Sequence, residues 1–235
     1  MDQVTTITFF RYAGLEKVWA LSMMQFAHRY LVKTSGLTFY KLLGTGKGDG
    51  FSPWPDYSSY ALLQVWDNEQ AADCFFQSNP LSLKYHRHSL ERWTLYMRVV
   101  KADGQWSGEN PFITHVSDNI GSVAIITRAT IKASKLRTFW SYVPTSGKPL
   151  KRNEGLLYTK GIGEVPFLQM ATFSLWKDED SMKKFAYQSK EHGKAIALTK
   201  SLNWYKEELF ARFYPYRSEG TWHGQAPLIS ENRLQ

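Results

Sequence analysis

The chain has 235 residues, of which 43% are hydrophobic and 21% charged. It is long enough to bury a sizeable core as one large or two small domains, and its composition excludes a disordered polymer. The formal net charge is +8, but the Lys and Arg residues are scattered without a cluster or a nucleic-acid motif, so a nucleic-acid partner is excluded and an anionic membrane face is the better match. The single cysteine, Cys74, excludes a disulfide framework and any CxxC site; its helical apolar surroundings predict a buried structural thiol.

The chain runs straight into a strand-like segment at Thr5–Arg11, with no basic leader followed by an apolar stretch, so no signal peptide is expected. No run is long enough to span a bilayer, and a cytoplasmic protein is expected, with contact at the inner membrane surface allowed. Apolar residues at helical spacing predict a helix over Leu15–Tyr30. Strands follow at Thr38–Leu43 and Tyr60–Trp66, separated by a glycine-rich loop, then a helix from Glu69 and a strand at Thr94–Val100. The series then starts again. Strands are predicted at Val123–Thr130, Leu156–Lys160, Leu168–Trp176 and Leu209–Tyr214, with helices at Lys135–Tyr142 and from Glu179.

Direct matches support an internal repeat. Ile7–Arg11 superimposes on Ala124–Arg128, Gly44-Thr45-Gly46 on Gly161-Ile162-Gly163, and Tyr60–Trp66 on Met170–Trp176. Leu95–Arg98 matches Leu209–Arg212, and Trp106-Ser107-Gly108 matches Trp222-His223-Gly224. Each copy reads βαββαβ, the ferredoxin-like order, whose sheet carries helices on one face only. The second copy can cover the bare face, which predicts an α+β fold: a dimeric α+β barrel formed within one chain. The expected divisions are a first repeat over 1–103, a linker over 104–121, a second repeat over 122–227 and a flexible tail over 228–235.

A single site should lie where the copies differ. Copy one has a longer loop, Lys47–Tyr57, with GxGxxG-like spacing, but it joins two strands, and a phosphate cradle needs a helix directly after the glycines. A hairpin loop or a lid presenting Phe51 and Trp54 is expected there. Copy two has extra residues around His192, where copy one has no histidine. A histidine on a helix facing an apolar sheet has the geometry of a proximal haem ligand, and a surface or capping residue is the plain alternative. The other histidines assemble no metal set; His86 and His88 point to different sides of a helix. The 15% aromatic content suits either a large apolar pocket or an aromatic-rich core.

Several segments resemble the spheroidene monooxygenase family of bacterial carotenoid oxygenases. They include Gly46–Pro53, Thr127–Thr130, Gly161–Gln169 leading to Thr172–Trp176, His192–Ile196 and Asn203–Phe213. The resemblance runs from about Thr5 to Pro227 and is strongest in copy two. It implies an iron-containing haem b, an acyclic carotenoid substrate, dioxygen and an external electron donor such as a ferredoxin. It also allows a homodimer and peripheral membrane contact. Carried onto this chain, it implies His192 as the axial ligand of the haem iron and Arg128 as a partner for a haem propionate or bound oxygen. Gln169, Phe173 and Trp176 become candidates for the pocket wall, although strand alternation sets Trp176 on the opposite face from the other two. Alternatives are a haem protein of this fold with peroxidase or dehydratase chemistry, and a non-enzymatic barrel that holds an apolar ligand.

Overall fold

A computed structural model describes residues 2–48, 52, 54–115, 121–146, 153–188, 202–225 and 229; the side chains of 142–146 and 187–188 are not described. The first half comprises β1 (Val4–Arg11), α1 (Glu16–Phe26), α2 (His28–Leu31), β2 (Leu37–Gly46), β3 (Pro55–Trp66), α3 (Glu69–Ser78), α4 (Pro80–His88) and β4 (Glu91–Gly104). The second comprises β5 (Val123–Ile131), α5 (Leu136–Ser146), β6 (Leu156–Val165), β7 (Gln169–Trp176), α6 (Glu179–Gln188) and β8 (Tyr205–Gly220). The predicted elements are all present, and most strands extend further than the apolar patterns suggested. Two helices form between β3 and β4: Asn79 breaks the segment, accepts a bond from the Leu81 N–H and is followed by Pro80, a good first helical residue.

The eight strands close into one antiparallel barrel in the order β1-β3-β2-β6-β7-β5-β8-β4. Within each half the order is the ferredoxin-like one, β4-β1-β3-β2 and β8-β5-β7-β6. The halves meet along two unequal seams. β4 and β8 pair from Trp93↔Gly220 to Gly104↔Leu209, whereas β2 and β6 share only Gly44↔Gly163 and Thr45↔Ile162. Ion pairs reinforce the short seam: Lys41 reaches Glu164 at 2.9 Å, and Lys160 reaches Asp56 at 3.3 Å.

Strand alternation sends one set of side chains inward. Ile7, Phe9, Leu63, Trp93, Ala124, Ile126, Phe173 and Phe213 belong to a single buried core. Phe9 lies 5.2–5.8 Å from the rings of Trp93, Tyr158, Phe173 and Trp222, so the centre of the barrel is filled by side chains. The opposite strand faces pack outward against the helices.

The pairing registers correct the repeat alignment. Val4 pairs with Trp66 in the first half and Val123 with Trp176 in the second. With those tryptophans matched, Val4 corresponds to Val123, Thr8 to Thr127, Phe9 to Arg128 and Arg11 to Thr130. The sequence match of Arg11 with Arg128 is therefore displaced by two residues. Strand periodicity allowed the error, because a two-residue shift keeps every side chain on its own face. Along the long seam Trp93 corresponds to Leu209 and Gly104 to Gly220. A second correction concerns Cys74, which is exposed on α3 with its thiol 3.7 Å from Ser78 Oγ. Its apolar neighbours Ala72 and Phe75 occupy the buried stripe instead.

The equivalent glycines Gly104 and Gly220 end β4 and β8 at φ of 95° and 85°. A Cβ at either would run into a carbonyl of the opposing strand, Glu208 O or Arg92 O. Both Gly104→Ala and Gly220→Ala should lower stability by about 2 kcal/mol or more, from positive φ and steric clash together. Gly48→Ala, also at positive φ but facing open space, should cost only about 1 kcal/mol. Urea unfolding midpoints of the three variants check the order.

Candidate functional site

Arg128 occupies the position that Phe9 fills in the first half, and its side chain is 2% exposed. Its guanidinium bonds Glu207, lies 3.7 Å from Glu164 and sits 5.6 Å from the centre of the Trp106 ring. Trp106 in turn donates its indole N–H to Glu164 at 2.7 Å. Glu207 also accepts the backbone N–H groups of Ser107 and Gly108. The first half has a related arrangement: Glu91 pairs with Arg11 at 2.8 Å and accepts the N–H groups of His223 and Gly224. Each carboxylate therefore ties its strand to the Trp-x-Gly turn that follows the other half's last strand. Arg128 thus faces two carboxylates of its own chain, Glu207 and Glu164.

Burial acts to raise the Glu207 pKa, but the Gly108 N–H, Arg128 and the Ser107 N–H outweigh it and hold the carboxyl below its ordinary value. A depressed folded-state pKa contributes stability above the unfolded value of about 4.3 and loses it as pH falls through the folded value. Glu207→Gln should therefore destabilise the protein at pH 7 by about 3 kcal/mol, because it leaves a buried guanidinium short of its partner. The variant should also flatten the loss of stability below about pH 4. Glu91→Gln should cost nearer 1 kcal/mol, since Arg11 is 34% exposed. Urea titrations at pH 7 and across the acid range measure both effects.

The other predicted residues separate. Phe173 is fully buried inside the barrel, 5.4 Å from Phe9. Gln169 is half-buried at the start of β7, opposite Thr130. Trp176 lies on the outer face, packed with Phe185 at 5.2 Å and donating to Ser174 Oγ at 2.9 Å. As alternation predicted, Phe173 and Trp176 share no pocket. Trp54 is exposed on the β2–β3 loop, while Phe51 and His192 lie outside the described residues.

The difference between the halves stands out on the outer sheet face. Across the first half one row reads Thr94, Thr8, Leu62, Leu42, all 7% exposed or less. The corresponding row of the second half reads Phe210, Thr127, Thr172, Gly161. Thr8 is fully buried and bonded to Thr94 Oγ1 at 3.0 Å, whereas its counterpart Thr127 is exposed in the middle of the sheet. Adjacent rows show the same reduction: Phe10 becomes Ala129, Gln64 becomes Ser174 and Tyr40 becomes Thr159. The second sheet is thus pared down around Ala129, Thr172, Ser174 and Gly161, with hydroxyl groups on its floor, whereas Ile125 and Phe210 beside them are larger than their counterparts Thr6 and Thr94. Sequence comparison missed this face because the displaced alignment set Thr127 against Phe10; at the correct register the loss of bulk is legible in the alternating residues.

Over 232 residues the chain is 35% identical to the spheroidene monooxygenase of Rhodobacter capsulatus, which covers 97% of this chain and 96% of that one. It is also 35% identical to the enzyme of that name from Cereibacter sphaeroides, over 96% of this chain and 71% of the relative. With the Rubrivivax gelatinosus enzyme it shares 34% identity over 81% of its length and 73% of the relative's. No protein-family model matches the chain. Among solved structures, an aldoxime dehydratase superposes with a TM-score of 0.62 at 10% identity, over 91% of this chain and 81% of that one. An aldoxime dehydratase in complex with butyraldoxime gives 0.63 at 10% identity, over 93% and 82%. These structural likenesses establish the shared fold. Fold and relatives together define an oxidoreductase of the monooxygenase type built on a dimeric α+β barrel. Within that class, the chain belongs to the spheroidene monooxygenase family.

Proposed function

We propose that the protein is a haem-dependent monooxygenase acting on an acyclic carotenoid or a similar long apolar molecule, and that its site lies on the outer face of the second half-sheet. The pared-down sheet carries this reading. A flat, largely apolar group needs a broad surface from which large side chains have been withdrawn, and this face offers one where the first half is filled. The interior of the barrel, packed with aromatic rings, is a poor place for a ligand of that size. The proposal therefore places the ligand outside the barrel rather than within it.

The repeat also bears on His192. In the first half α4 follows α3 and stacks Tyr85 on Phe10, with ring centres 4.6 Å apart. Phe10 corresponds to Ala129, and the segment in α4's place along the chain, between α6 and β8, contains His192. This supports His192 as the residue that would ligate a haem iron there. A haem bound there would supply the redox centre for dioxygen chemistry, with electrons from an external donor such as a ferredoxin. The overall conversion puts one oxygen atom into a C–H bond, while the other leaves as water with two electrons and two protons. A second oxidation at that carbon followed by loss of water gives a ketone.

The chain's own residues have separate tasks in this reading. Thr127, Thr172 and Ser174 offer hydroxyl groups on the floor, able to donate to or accept from a polar group above them. Ile125 and Phe210 keep that floor apolar around the hydroxyls and help to exclude water. Trp176 closes one edge, and Arg128 with Glu207 holds β5 and β8 in place from the barrel side. A carotenoid resides in bilayers, so the enzyme must meet its substrate at a membrane surface.

Protein supplied with haem should show a Soret band, and His192→Ala should lose or shift it. Ala129→Phe with Thr172→Leu, which restores the bulk of the first half, should weaken haem binding at least tenfold with little change in circular dichroism. Leu62→Thr in the first half should leave the band unaltered. A wild type that stays colourless, or a refilled variant that binds haem normally, overturns the assignment.

A further inference from the structure

The helical layer of the first half has an unusual exposed face. Leu15, Val18, Leu21 and Phe26 lie along α1, and Val32 follows α2; all five are more than half exposed, Leu15 by 87% and Val32 by 67%. At about 100° per residue, the α1 members share one arc of roughly 140°, in which Ser22 and Gln25 are the uncharged polar residues between them. The buried side of the same helix is occupied by Ala20 and Met23, so the stripe is additional to what the core requires.

The charged residues that α1, α2 and Lys33 expose on this face are cationic, and Glu164, which borders it beside Leu21, is paired with Lys41 at 2.9 Å. Lys17, Arg29 and Lys33 are exposed among the apolar residues, and the Arg29 guanidinium sits 5.4 Å from the centre of the Phe26 ring. Glu16 is the single acidic residue between positions 12 and 36, and it is bonded to His88 at 2.7 Å. An apolar stripe interleaved with Lys and Arg is the pattern of a helix that lies in the plane of an anionic bilayer, its apolar side chains in the interface and its cations at the headgroups. A second copy of the chain is a poorer occupant. A two-fold contact would bring Lys17, Arg29 and Lys33 of each chain against the same cations of the other, with Glu16 already engaged.

We infer that the exposed face of α1 and α2 is the surface by which this protein docks on an anionic lipid bilayer. The inference deepens the functional reading, from which it takes the need for a membrane source of substrate. Its structural grounds are independent of the haem site, which the proposal puts on the opposite half of the chain.

The experiment is co-sedimentation of the full chain with vesicles, without carotenoid and without added haem, so that it fails or succeeds apart from the haem reading. Vesicles of equal phosphatidylglycerol and phosphatidylcholine should bind the protein, and phosphatidylcholine alone should bind it far less. Val18→Ser/Leu21→Ser/Phe26→Ser should reduce binding at least tenfold. Lys17→Gln/Arg29→Gln/Lys33→Gln should abolish the preference for anionic vesicles and its sensitivity to salt, at about fivefold per charge. All six positions are largely exposed, so both variants should give the wild-type circular dichroism spectrum. Wild-type protein that ignores anionic vesicles overturns the inference, as does an apolar variant that binds them unchanged. Sedimentation velocity without lipid provides a further check: a wild-type dimer made monomeric by the serine variant would assign the face to a second copy instead.

Discussion

A ferredoxin-like unit leaves one face of its sheet without cover, and nearly every feature of this molecule follows from burying that face. Two units in one chain solve the problem by bending their sheets into a common barrel, so that Ile7, Phe9 and Trp93 of one half meet Ile126, Phe173 and Phe213 of the other. Closure also removes the strand edges that a single unit would expose. The seams are unequal. The long β4–β8 ladder provides most of the backbone bonding, while the short β2–β6 contact relies on the Lys41–Glu164 and Lys160–Asp56 pairs.

Once the interior is filled with rings, the barrel has little room for a ligand, and specialisation moves to the outer layers. There the halves diverge. The first packs Leu42, Leu62, Phe10 and Tyr60 against α1, α3 and α4 in one continuous cluster. The second replaces the counterparts with Gly161, Thr172, Ala129 and Met170 and exposes Thr127. Duplication makes this change tolerable: one half keeps the bulk that stabilises the barrel, and the other can give up packing. Under the proposed function, this division leaves the first copy as scaffold and gives the second the chemistry.

The two arginines show how similar residues acquire different environments. Arg11 sits at the rim, a third exposed, beside Glu91. Arg128 starts two residues deeper, in the place of an aromatic core residue, and reaches the carboxylate equivalent to Glu91. A buried guanidinium must be neutralised, and Glu207 and Glu164 supply the opposite charge beside the Trp106 ring, while Arg128 Nε has no hydrogen-bond partner among the described residues. Their placement also explains why Trp106-Ser107-Gly108 and Trp222-His223-Gly224 match in the sequence: each turn offers two N–H groups to the other half's glutamate.

The sequence by itself determined the duplication and the βαββαβ order, because helix and strand periodicities are local and survive without knowledge of partners. It likewise placed Phe173 and Trp176 on opposite faces, a consequence of alternation alone. Tertiary structure decided the register between the copies, since a two-residue slip leaves the pattern of faces intact and only the cross-strand pairs Val4↔Trp66 and Val123↔Trp176 distinguish the alternatives. It decided that Cys74 is exposed and that Arg128 answers to Glu207, both matters of which surfaces meet. The exposure of Thr127 belongs to the same class, because a threonine reads identically whether its neighbours cover it, as at Thr8, or leave it bare.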